Sequence, residues 1–202
     1  MMRRALLSIR RLRRKDDGVA AVEFAILAPV LIVMLVGLMD FGLQVYTRSL
    51  LHGAMQTASR DSALEPGGPT AAQMDANVTS QVHNIMPSAT ITFTRSNYEN
   101  YSDVAQPEIY TDSDGDGECN NGEPFEDMNG NGFWDADMGR SGRGGASDAV
   151  LYQADVSYTR LLPIHRLITS IPAEVSVRSA TVLRNQPYDS QARREPTQGF
   201  CT

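Results

Sequence analysis

The stretch whose reading settles the architecture is Arg13-Arg14-Lys15-Asp16-Asp17-Gly18-Val19-Ala20-Ala21-Val22-Glu23-Phe24, which runs straight into an apolar segment reaching Val45. No charge occurs from Phe24 to Met39, and after Asp40 the apolar character resumes through Phe41 to Val45. About 20 residues of helix cross a bilayer. Phe24 to Val45 supplies 22, with Asp40 near the outer interface. Seven cations (Arg3, Arg4, Arg10, Arg11, Arg13, Arg14, Lys15) precede Val19, against Asp16 and Asp17. That basic excess keeps the leading end in the cytoplasm and sends the rest of the chain outside. A cleaved secretory signal has similar parts, but its small-residue cleavage motif should follow the apolar run. Here Gln44-Val45-Tyr46-Thr47-Arg48-Ser49-Leu50-Leu51 continues a helical pattern, so the expectation is a retained helix.

A carboxylate near the membrane boundary is costly unless solvated or paired. A cut after Gly18 would leave the new amino group of Val19 four residues before Glu23, one helical turn away. A neighbouring subunit's amino group would serve equally well, and interfacial water is the alternative partner. Pro29 lies too deep to be a first-turn residue, so it should bend the helix rather than end it. Beyond the membrane, Leu43, Thr47, Leu50, Ala54 and Ala58 step by three and four, and Pro66-Gly67-Gly68-Pro69 stops the helix. The expectation is one helix over 19–65, transmembrane to about residue 45 and amphipathic beyond. Such a rod needs partners along it, either its own domain or neighbouring subunits.

The remaining residues suffice for one modest core. Thr70 should start a second helix with a stripe of Met74, Val78, Val82, Ile85 and Met86, ended by Pro87. A period of two then takes over in Ala89, Ile91 and Phe93, in Val150, Tyr152, Ala154, Val156 and Tyr158, and in Val175 with Val177. These segments predict an antiparallel sheet against the helices, giving an α+β head over 70–188. Leu161 to Ile168 is unusually apolar for a connection: either a short helix folded onto the core or an exposed edge touching lipid or a neighbouring subunit. His52, His83 and His165 have no metal-like spacing and are expected to play no catalytic part. Residues 189–202 read as a polar tail, loose until Cys201.

The formal net charge is −6; without residues 1–18 the chain keeps 11 basic and 22 acidic side chains. Twelve acids fall between Glu99 and Asp137, where there is no Lys or Arg. Nucleic-acid binding is excluded on that ground, because phosphate contacts need clustered cations. The spacing of the acids points to a hard cation. Asp112, Asp114, Asp116, Gly117 and Glu123 satisfy the whole D-x-[DN]-x-[DN]-G-x5-E calcium-loop pattern. In it Glu118 would give a carbonyl and Asn120 would hold a water. A second copy follows as Asp127, Asn129, Asn131, Gly132 and Asp135, but Met138 stands where the final carboxylate belongs. Asp137 or Glu126 would have to substitute, or the two loops would share a site for one or two calcium ions. The insertion 99–145 is thus expected to be a calcium-stapled extracytoplasmic loop, against the alternative of a disordered acidic excursion. Cys119 and Cys201 are able to pair in an oxidising compartment, with free or intermolecular thiols as the alternative.

Gly18-Val19-Ala20-Ala21-Val22-Glu23-Phe24-Ala25, with Ala28-Pro29 and Asp40-Phe41-Gly42, resembles the amino-terminal signature of TadE-like proteins. These are pilin-like components of bacterial tight adherence (Flp-type) pilus systems. Val182-Leu183-Arg184-Asn185-Gln186-Pro187-Tyr188 resembles the family's carboxy-terminal pattern, with Gln186 where an acid is common, and Asp40 replaces the commoner glutamate. The resemblance implies a type IV pilin-like fold and cleavage of leader 1–18 between Gly18 and Val19 by a prepilin peptidase. It also implies a minor pilin or pseudopilin role beside other pilin-like subunits and the inner-membrane assembly machinery. The expected location is the bacterial inner membrane, with a cytoplasmic amino terminus and an extracytoplasmic head, and the pilus or cell surface after assembly. An enzyme is not expected. The alternative is a membrane-anchored calcium-dependent adhesin.

Overall fold

The computed structural model describes residues 18–62, 70–187, 189–191 and 193–202. The basic leader, the Pro66–Pro69 stop and Tyr188 lie outside the described residues. Helix α1, Val19–Ser62, runs unbroken for 44 residues with Pro29 inside it. The chain divides into two compact units: one holds α1 up to Leu43 together with Arg160–Ala173, the other Gln44–Thr159 with Glu174–Thr202.

In the first unit, Phe24, Ile26, Leu27, Val30, Met34, Leu35 and Leu38 are all exposed. A helix this long and this apolar, with those side chains exposed, is fit to span a membrane. Asp40 interrupts that surface yet is itself buried, ion-paired with Arg160. Arg160 is held in turn by the carbonyls of Ala173 (2.9 Å from its amide) and Pro172 (2.8 Å from Nε). The short helix α3, Ile164–Leu167, follows. Ile164 is buried, and its Cδ1 lies 3.5 Å from where a Cβ would stand on Gly37. The apolar connection therefore includes a helical turn whose Ile164 packs against α1, and Leu161 remains exposed.

In the second unit, the distal part of α1 buries Thr47, Leu51, Ala54, Met55 and Ala58. Of the expected stripe, Thr47, Ala54 and Ala58 are buried; Leu43 and Leu50 are only partly covered, and Leu51 and Met55 join the stripe instead. Helix α2, Ala71–His83, opens with a capping box in which Thr70 and Gln73 satisfy each other's amides (3.3 and 2.8 Å). It buries Met74, Val78 and Val82, and its C-cap Asn84 ends it ahead of Pro87.

Strands β1 (Thr90–Tyr98), β3 (Arg140–Ser141), β4 (Ala149–Thr159) and β5 (Glu174–Arg184) form an antiparallel sheet in the order β3-β1-β4-β5. Val175, Val177 and the Val182–Arg184 segment all belong to the one strand β5. On one face, Arg95 lies opposite Tyr152, and Ser179 opposite Ala154. Both helices pack there. Arg95 grips Asp75 of α2 with two nitrogens and lies 4.1 Å above the Tyr152 ring, whose hydroxyl donates to Asp75 (2.6 Å). His52 of α1 meets Ser179 Oγ at 3.2 Å. The other face carries a second cluster of Tyr98, Ala149 and Leu151, covered by Val104, Met138 and Val182. The run Ala149-Val150-Leu151-Tyr152 is apolar without alternation because both of its faces are buried.

A second, smaller sheet pairs β2 (Pro124–Asp127) with β6 (Thr197–Phe200). Gly199 lies opposite Phe125, whose ring occupies the place a Cβ would take. The carboxy-terminal segment, expected to be loose until Cys201, is instead tied along its described length. Gln191 donates to Asp148 (3.0 Å) and to the Glu99 carbonyl (2.8 Å), Arg194 pairs with Asp148, and β6 completes the ladder. Its polar side chains find buried carboxylate and carbonyl partners, which polarity along the sequence does not reveal.

Candidate functional site

The oxygen-rich loops flank β2, one ending at Glu123 and the other beginning with Asp127. In the first, Asp112 accepts from the amides of Gly115 (2.6 Å) and Gly117 (3.1 Å). Asp114 and Asp116 accept from Asp116 (3.3 Å) and Glu118 (2.8 Å). Gly117 has φ +81°, a sharp turn that a side chain would strain. Glu123 reaches back across the loop to the amides of Ser113 and Asn120 (3.4 Å to the latter). Carboxylate oxygens of Asp112, Asp114 and Asp116 lie within 4.8 Å of one another, all exposed. The Asn120 side-chain amide, followed by the Glu118 amide, holds the Asp116 carboxyl below its usual range. Nearby, desolvation and then the charges of Asp112, Glu123, Asp116 and Glu118 push the Tyr110 phenol up. Asn120 Oδ1 is buried without a protein partner, an acceptor left available. The donor set is all oxygen, the kind a hard divalent cation takes.

The second loop repeats the first. Asp127 accepts from Gly130 (2.5 Å) and Gly132 (2.8 Å), Asn129 from Asn131 (3.0 Å), and Asn131 from Phe133 (2.7 Å). The amides of Asn129 and Asn131 both donate to Asp135 Oδ2 (2.7 and 2.6 Å). The missing carboxylate comes from upstream. Glu108, 1 % exposed, accepts from Met128 (2.8 Å), Asn129 (3.4 Å) and Asp135 (3.1 Å). Met128 and Asp135 hold the second and ninth places, the places whose amides Glu123 takes in the first loop. Asp137 is engaged elsewhere, by the Tyr98 hydroxyl (2.9 Å) and the Gly139 amide (3.0 Å), and Glu126 is exposed in β2. Burial, then the hydrogen bond to Asp137, pushes the Tyr98 phenol up to about 12.

Both loops are bolted to the small sheet. Cys119 and Cys201 are joined in a disulfide with Cα atoms 5.3 Å apart. Gly122 donates to the Cys201 carbonyl (3.0 Å), and Cys201 to that of Glu123 (2.8 Å). Trp134 donates to the Glu108 carbonyl (2.9 Å) and stands edge-on to Tyr110.

Among the described residues no catalytic constellation is assembled. His52 touches Ser179, but that serine is buried and the second ring nitrogen meets Gln56 (2.9 Å), not a carboxylate. His83 meets the Ala89 carbonyl (2.9 Å).

At the other end of the chain, Gly18 is exposed and α1 begins at Val19. Val19 and Glu23 both face outward from the helix. The family of TadE-like proteins matches residues 18–60, about a fifth of the chain. That segment covers the helix terminus, the membrane span and the start of the buried stripe. No curated protein and no solved structure matches the chain.

Proposed function

We propose that this protein is a pilin-like subunit, a minor pilin or pseudopilin, of a tight adherence (Flp-type) pilus system. The observation that carries the reading is the match of residues 18–60 to TadE-like proteins, over a helix whose apolar surface its own chain leaves bare. That surface supplies what side-by-side packing in a membrane needs, and loss of the span's neighbours would leave only lipid to cover it. A prepilin peptidase cuts between Gly18 and Val19 and leaves a new ammonium one turn from Glu23. In an assembly Glu23 pairs with that group or with a neighbour's. The head then faces away from the cytoplasm, on the side opposite the basic leader.

In the same reading the two loops hold calcium. Asp112, Asp114, Asp116 and Glu123, with the Glu118 carbonyl and Asn120, take one ion. Asp127, Asn129, Asn131 and Asp135, closed by Glu108, take a weaker second. Calcium supplies neutralisation of the crowded carboxylates, and the loops themselves orient and enclose it. Only three residues, Pro124 to Glu126, separate the loops, so they staple the head rather than swing as a sensor.

Two experiments test the proposal. Amino-terminal sequencing of the membrane-extracted protein, from a host with a working prepilin peptidase, should begin at Val19; an intact Met1 chain overturns the processing. Chelation should lower the melting temperature and open Gly139–Gly145 to protease. If calorimetry shows no binding at millimolar calcium, the metal reading falls and the pilin-like terminus stands alone.

A further inference from the structure

We propose that the Arg160–Ala173 excursion is a second membrane contact, seated at the boundary between headgroups and acyl chains of the outer leaflet. The proposal rests on reading α1 as a membrane span.

Depth is the first argument. Ile164 packs beside Gly37, three residues inside Asp40 on the span. At a rise of about 1.5 Å per residue that is roughly 4–5 Å below the Asp40–Arg160 pair. The excursion therefore lies at the level of the uppermost apolar turns of α1, where Leu38 and Phe41 are bare. A segment at that level meets whatever covers those turns.

Chemistry is the second argument. From 160 to 173 the chain carries no acid; its ionisable side chains are Arg160, His165 and Arg166. Leu161 is 56 % exposed and Ile168 36 %, and Arg166 is exposed between them in sequence. Exposed leucine and isoleucine beside an outward arginine suit a phospholipid boundary, where the acyl region takes the apolar groups and phosphate takes the guanidinium. Arg160, by contrast, is spent on Asp40, which removes a bare charge from that boundary. The acidic loops of the head, with no cation from Glu99 to Asp137, have the opposite character and no such affinity for lipid phosphate.

Tryptophan placed at each level of the full chain tests this in phosphatidylcholine vesicles. Leu161→Trp and, independently, Ile168→Trp should show blue-shifted emission above the Trp134 background of the wild-type protein. Lipids brominated near the headgroup end of the chain should quench them several-fold more than lipids brominated near the chain terminus. Ile32→Trp serves as the span control, quenched most by the deep bromines, and Tyr101→Trp as the water-exposed control, quenched by acrylamide. If both excursion probes behave like the Tyr101 probe, the segment faces water and the proposal is overturned. Blue-shifted emission without bromine quenching overturns it too, in favour of burial against a second copy. Failure of the Ile32 probe to meet bromine overturns the membrane reading itself, and this proposal with it.

Discussion

Glu108→Gln removes one negative charge without removing the shape that closes the second loop, so it isolates the role of that carboxylate. Calorimetric titration should lose the weaker calcium step and keep the stronger one; two unchanged steps would reduce Glu108 to a structural acceptor. Without calcium the substitution should cost about 1–3 kcal/mol, because buried amides lose a charged acceptor. The sequence pattern shows the first loop whole but leaves the second open at Met138. No spacing rule points to Glu108, since it enters from the chain before the first loop and reaches its place only when Ile109–Thr111 pair with β2. Arg160→Ala is the matching test in the membrane unit. It strands Asp40 in a buried setting and should destabilise the protein by about 3–5 kcal/mol in a detergent melt, the usual effect of halving a buried pair. Asp40 is visible in the sequence as a charge within an apolar run, but its partner stands 120 residues away.

At the scale of elements, α2 is fastened to the sheet by Asp75, Arg95 and Tyr152, and that fastening is sensitive to alkali. Burial, then the hydrogen bond to Asp75, raises the Tyr152 phenol well above its ordinary value of 10.0. The folded state thus keeps a proton that the unfolded chain sheds first. The contribution is intact below about pH 10 and is lost as pH rises beyond it. Tyr98, at about 12, adds a loss of the same sign between its ordinary value and that pH. Tyr152→Phe should flatten the alkaline fall in melting temperature without abolishing it; an unchanged slope would show that other groups govern it. Reduction of Cys119–Cys201, whose ends are 82 residues apart, should cost about 2–4 kcal/mol. β6 and the first loop should then exchange hydrogens faster than β4. Helices and strands were legible in the sequence because their periods are local. β6 was not, since Thr197-Gln198-Gly199-Phe200 carries no alternation and becomes a strand only through β2 and the disulfide.

For the molecule as a whole, the plan of a membrane helix with a small α+β head could be read from one run of apolar residues and a few alternating segments. What could not be read is that residues 99–145 cover the second face of the sheet as well as carrying the loops. Joining Tyr98 to Ala149 by a short turn should therefore leave the β1–β4 hairpin in place while baring Tyr98 and Leu151, at about 1.5–3 kcal/mol for each large side chain uncovered. Such a variant should keep the helical part of its far-ultraviolet circular dichroism but bind a hydrophobic dye; a variant that stays dye-silent would show that face to be dispensable. A last consequence follows from β2, which joins the end of the first loop to the start of the second. Whichever loop fills first immobilises that strand and leaves less entropy for the other to lose. Calcium uptake should then be cooperative, with a Hill coefficient above unity, and Phe125→Ala, by loosening the shared strand, should bring it back toward one.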